Sequence, residues 1–98
     1  MPAAHRYQDW GTGHGCWPMR KNVQGSGDVF VNDKGWHRQN DAWDVHCCVS
    51  PPHPCHAGNL QRGSKSVFVN NKQAGRVNDP VNCGSAAMTG SGNVFAGG

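Results

Sequence analysis

Apolar residues along this chain come in short runs, and three of the runs read almost alike: Val29-Phe30-Val31, Val67-Phe68-Val69 and Val94-Phe95-Ala96. Each follows a Gly-Ser pair, at Gly25, Gly63 and Gly90. Each is bounded by glycine or asparagine, the pattern of a short β-strand between turns. The endings Asn-Asp-Lys-Gly, Asn-Asn-Lys-Gln and Gly-Gly read as turns, because Asn and Gly tolerate positive φ. Apolar Val23, Leu60 and Met88 stand just ahead of the Gly-Ser pairs, which predicts a β-hairpin around each pair. No long stretch has helical periodicity, and the scattered glycines would penalise a helix.

A second element recurs with the first. Arg6 and Asp9, Arg38 and Asp41, and Arg76 and Asp79 all have the form Arg-x-x-Asp. The predicted fold is therefore mainly β: one domain over 1–98, with repeat units at about 1–33, 34–71 and 72–98. A lone hairpin is not stable in water. Three of them arranged with pseudo-threefold symmetry would share one core, expected from Val29, Val67, Val94 and the phenylalanines.

Composition raises the question of what holds so small a fold together. Only 36% of the 98 residues are hydrophobic, and fourteen are glycine. At this size an apolar core is marginal, and a metal, a disulfide or a partner usually assists. The net charge is +3, and no basic run exceeds Arg20-Lys21, so the basic stripe of a nucleic-acid binder is absent. Trp10, Trp17, Trp36 and Trp43 could stack on bases, but without that stripe they read as packing or interface anchors. The N-terminal residues lack the apolar stretch of a signal peptide, so cytoplasmic synthesis is expected. Five cysteines without an export signal, beside six histidines, point to metal binding for some and free buried thiols for about three.

Position in the repeat selects the metal ligands. His14 and His46 lie five residues after Asp9 and Asp41, and Cys83 lies four after Asp79. A structural zinc takes four ligands from thiolate and imidazole. The fourth must come from the irregular segment between Cys47 and Leu60, where His56 precedes Gly63 by seven residues as Cys83 precedes Gly90. The expected set is His14, His46, His56 and Cys83 around one zinc ion, with His53 as the alternative fourth ligand. A local cluster of Cys47, Cys48, Cys55 and His56 ranks lower, because adjacent cysteines rarely face one metal. His5 and His37 are expected to be solvated. A catalytic zinc is disfavoured, since it needs an open position, and the repeated aspartates suit pairing with arginine or backbone.

These residues together resemble the PAAR-repeat family, named for Pro-Ala-Ala-Arg. Residues 72–85, KQAGRVNDPVNCGS, are similar to the family's Lys-Pro-Ala-Ala-Arg-Val-Gly-Asp followed by Cys-Gly. Residues 2–9, PAAHRYQD, keep Pro-Ala-Ala with a histidine inserted before Arg6. Residues 9–15, DWGTGHG, and the closing GSGNVFAGG also look like family segments. The resemblance implies a small cone of β-hairpins stapled near its apex by a zinc on three histidines and one cysteine. It implies a structural, non-enzymatic role: one chain caps a trimeric β-helical spike and helps pierce a target cell envelope. No nucleic acid or small-molecule substrate is expected. The minimal length suggests a bare tip in a phage virion tail, with a type VI secretion apparatus as the alternative.

Overall fold

Asn32-Asp33 and Asn70-Asn71 each place two consecutive residues at positive φ, between 52° and 66°. That geometry is the primed turn that matches the twist of a two-residue hairpin. In the computed structural model, which describes residues 1–98, these turns join β3 (Phe30–Val31) to β4 (Lys34–Gly35) and β7 (Phe68–Val69) to β8 (Lys72–Gln73). The hairpins thus turn on the asparagines rather than on the Gly-Ser pairs. β1 (Trp10–Gly11) pairs with β2 (Arg20–Lys21), and β5 (Ala42–Cys47) pairs with β6 (Cys55–Asn59); all four pairings are antiparallel. There is no helix.

The Gly-Ser pairs do a different job. The hydroxyls of Ser26, Ser64 and Ser91 accept hydrogen bonds from the backbone two and three residues on, forming a tight turn ahead of each Val-Phe run. Their glycines let two backbones meet. A Cβ on Gly25 would lie 2.8 Å from the Gly35 carbonyl oxygen, and one on Gly90 would lie 2.6 Å from that of Ala4.

Three look-alike units exchange hydrogen bonds in a closed ring. The His37 amide donates to the His5 carbonyl, Gly75 to His37, and His5 to Gly75. Arg6, Arg38 and Arg76 each grip their own aspartate through the backbone amide, Nε and Nη2. The remaining nitrogen of each arginine reaches the far end of its own unit, at Asn32, Asn70 and the Gly97 carbonyl, and Asn32 and Asn70 in turn bond Asn93 and Asp28 of neighbouring units. The third unit is completed by the other end of the chain, where Ala3 bridges Phe95 and the Ala4 amide donates to Val94. Pseudo-threefold order is therefore written in backbone bonds as well as in side chains.

The core differs from the expected one. Val31, Val69 and Ala96 are the buried members of the three runs, while Val29, Val67 and Val94 are half-buried. Phe30, Phe68 and Phe95 are exposed, at 59%, 57% and 48%. Strand side chains alternate faces, so Phe points away when its following neighbour points in. Of the residues ahead of the Gly-Ser pairs, Leu60 is buried but Val23 and Met88 are exposed.

The main apolar cluster is Trp43, Leu60, Val81 and Ala87. It forms where each unit bridges the next, at Asn22–Trp43, Leu60–Val81 and Gly11–Ala87. Symmetry is broken here by size. Trp43 fills the space that Gly11 leaves, and any Cβ on Gly11 would strike the indole ring.

His5 and His37, expected in solvent, are fully buried against Trp43. The ring of backbone bonds draws their positions inward, and local polar partners make burial tolerable. His5 Nδ1 donates to the Thr89 carbonyl at 2.7 Å while Nε2 accepts from Asn22 at 3.0 Å. His37 Nδ1 donates to the Gln24 carbonyl at 2.6 Å. Burial lowers both pKa values, His37 to about 3, so both rings are neutral.

Candidate metal centre

Past Trp43 along β5, the chain converges a second time. His46 on β5 and His56 on β6 are directly opposed in the strand register, past a bulge between Trp43 and His46. A bulge bends a strand and re-aims its side chains. His14 opens a tight turn in which His14 and Trp17 exchange backbone hydrogen bonds. Cys83 sits in a turn closed by Val81 and Ser85, with Gly84 at φ +106°.

These four residues bring one donor atom each to within 4.8 Å of one another. His56 Nε2 lies 2.7 Å from His46 Nε2 and 3.0 Å from His14 Nε2. His46 Nδ1 donates to the Pro18 carbonyl at 2.7 Å, which leaves its Nε2 lone pair aimed at the cluster. Burial, with help from neighbouring cations, lowers the pKa of His14 and of His46 and keeps them in the neutral, ligating form. Burial pushes the Cys83 thiol up, but hydrogen bonds from Ser85 and the Arg20 guanidinium outweigh it and leave the pKa lowered.

Such a donor set suits a cation. A tetrahedral zinc with nitrogen ligands at about 2.0–2.1 Å would space the nitrogens by about 3.3 Å. The observed imidazole spacings of 2.7 and 3.0 Å are somewhat shorter, so a small outward movement of the rings would seat such an ion. Three imidazoles and one thiolate form a group that could hold a metal ion.

Two neighbours escaped the sequence reading. Arg20 is buried, donates to Cys83 Sγ at 3.1 Å, to Ser85 Oγ at 2.7 Å and to the Asp44 carbonyl at 3.0 Å, and lies over the Trp43 ring. It ties the apolar cluster to the thiol. Trp17 packs against His14 and His56 and donates from Nε1 to the Pro54 carbonyl. The Arg20-Lys21 pair was visible only as the longest basic run, and nothing in its spacing marked one member for burial.

His53 lies apart from the cluster: it is exposed, with Nδ1 3.0 Å from the Cys48 carbonyl oxygen. The expected free thiols are not there. Cys16 is bonded to Cys48 and Cys47 to Cys55, which leaves Cys83 as the free cysteine. The alternative cluster of Cys47, Cys48, Cys55 and His56 is thereby overturned, because disulfide sulfurs cannot serve as thiolate ligands. Adjacent cysteines in a strand point to opposite faces, so each found its own partner.

The profile of the PAAR motif family matches residues 12–89. This chain belongs to the PAAR-motif family. It is 34% identical over 82 residues to the NAD(P)(+) glycohydrolase toxin Tse6 of Pseudomonas aeruginosa strain PAO1, covering 78% of this chain. It is equally similar, over the same share, to the (p)ppApp synthetase toxin Tas1 of Pseudomonas aeruginosa strain UCBPP-PA14. The chain spans 18% of the length of either relative.

Proposed function

We propose that this PAAR domain is a structural tip: a zinc-pinned point seated on a trimeric β-helical spike, one chain per trimer. The observation that carries the reading is the closed exchange of backbone hydrogen bonds among His5, His37 and Gly75, with the same Arg-x-x-Asp grip repeated in each unit. A single chain thereby imitates a threefold object. Phe30, Phe68 and Phe95 stand exposed at matching places in the three units, one apolar contact for each face of a trimer. Exposed apolar groups at a symmetric surface mark an interface rather than a solvated face.

Zinc suits the three-imidazole, one-thiolate set, and four protein donors fill its tetrahedron. A filled tetrahedron supports a structural, non-catalytic ion. Bound there, the ion would fasten β5, β6 and the two turns to one another, giving the rigidity needed to breach an envelope under an external push. Relatives that are toxins favour a type VI secretion apparatus over a phage tail as the setting, with the toxic activities belonging to regions outside this match.

Mixing the chain with a trimeric spike and weighing the complex by native mass spectrometry tests the partner. One chain per trimer is expected, and the Phe30→Asp, Phe68→Asp double variant should fold yet fail to bind. Three chains per trimer, or undiminished binding by the variant, would overturn the reading.

A further inference from the structure

The three histidines of the metal centre receive little help from the apolar core. Cys83 packs against the Trp43 cluster, but Val45 and Val49 beside the histidines are exposed at 54% and 70%. What stands in for a core is covalent. Cys47–Cys55 is the cross-strand step directly beyond His46–His56, closing the eight-residue separation between them. Cys16–Cys48 joins the turn that carries His14 to the end of β5, and the Val49 amide donates to the Cys16 carbonyl alongside it. Every histidine donor is thus one or two residues from a disulfide.

The two bridges differ in access. Cys47 and Cys55 are both exposed, whereas Cys48 is buried at 6%. Cys16 is half-buried; thiol exchange needs an attacking thiolate to reach a sulfur, so the first bridge is the more open of the two. We propose that Cys47–Cys55 is an exchangeable clasp on the metal centre: opening it weakens metal binding, and bound metal protects it from being opened. This rests on the metal reading above. In the opening step two small-molecule thiols, such as glutathione, give up two electrons and become a disulfide, while Cys47 and Cys55 take up the electrons and two protons as thiols. Once it is open, β5 and β6 lose the covalent tie between their tips, and the His46–His56 spacing is held by hydrogen bonds alone. The coupling is reciprocal by thermodynamic linkage, so metal must resist reduction by the factor that reduction costs the metal.

Two measurements on the full chain test this. Zinc affinity from competition with a chromophoric chelator should fall at least tenfold in the Cys47→Ser, Cys55→Ser double variant, which removes the clasp without adding thiols. Separately, wild-type protein with and without zinc is equilibrated in glutathione buffers, alkylated and mapped by mass spectrometry. Zinc should raise the ratio of squared reduced to oxidised glutathione concentration needed to open Cys47–Cys55 at least tenfold, and Cys16–Cys48 should open later in either state. Equal zinc affinities, or the same opening point with and without zinc, would overturn the clasp, as would Cys16–Cys48 opening first. Should the serine variant not fold, the glutathione measurement decides alone. Oxidised wild type that binds no zinc would instead sink the metal reading itself, a result distinct from zinc bound equally well with and without the clasp.

Discussion

Replacing His37 with glutamine should change how stability responds to acid more than it changes stability at neutral pH. His37 is fully buried beside His5 and Trp43, with Nδ1 donating to Gln24, and its Nε2 meets no hydrogen-bond partner. Protonation would create a charged N–H in that setting. Burial is the largest cause of the depressed pKa, repulsion from His5 and Arg38 adds to it, and Asp41 opposes it only in part. The unfolded chain binds this proton more readily than the folded one. The neutral ring's contribution is therefore fully present above about pH 6.5 and drains away as pH falls. With the pKa moved from 6.5 to about 3, the loss is about 2 kcal/mol by pH 5 and about 4 kcal/mol by pH 3. Glutamine can keep the bond to Gln24 but cannot titrate. Urea unfolding at pH 7.5, 6 and 5, with zinc saturating, should show wild type losing about 2 kcal/mol more than H37Q over that range. The metal ligands also take up protons in acid, but they do so in both proteins and cancel from the difference. An imidazole resonance of His37 that titrates near 6.5, or two stability curves that stay parallel, would refute the reasoning.

Chelation of the purified protein should lower the melting temperature steeply and release about one zinc per chain, and Cys83→Ser should melt like the chelated protein; a structural zinc of this type contributes about 10–16 kcal/mol in small zinc-finger peptides. Asp41→Asn should destabilise by about 3–5 kcal/mol in urea unfolding, because it strands the largely buried Arg38 guanidinium that Asp41 holds through two nitrogens. Gly75→Ala should cost about 1–3 kcal/mol, since its Cβ would come 2.5 Å from the His37 carbonyl oxygen that the Gly75 amide must reach. Amide hydrogen exchange should then quicken at Gly75, His37 and His5 together rather than at one position.

Much of the architecture was legible because it was repeated. Three copies of Gly-Ser followed by a Val-Phe run, and three of Arg-x-x-Asp, identify equivalent positions without coordinates, and the register of His14, His46, His56 and Cys83 follows from them. Positive φ at Asn32, Asp33, Asn70 and Asn71 was likewise foreseeable from residue type. What the repeat could not tell is which face each strand turns inward. A one-residue shift would exchange Val29 and Val31 for Phe30, and packing against the neighbouring units turned Val31, Val69 and Ala96 inward. Histidine carries no mark of burial either. His5 and His37 are interior because their backbone belongs to the closed ring that includes Gly75, a relation that exists only after three units have met. The cysteines follow the same logic: pairing Cys16 with Cys48 spans 32 residues. Composition and spacing set the elements and the ligand types, both local properties of the chain. Facing, burial and bridging were decided by distant segments meeting, because those depend on where other residues end up in space.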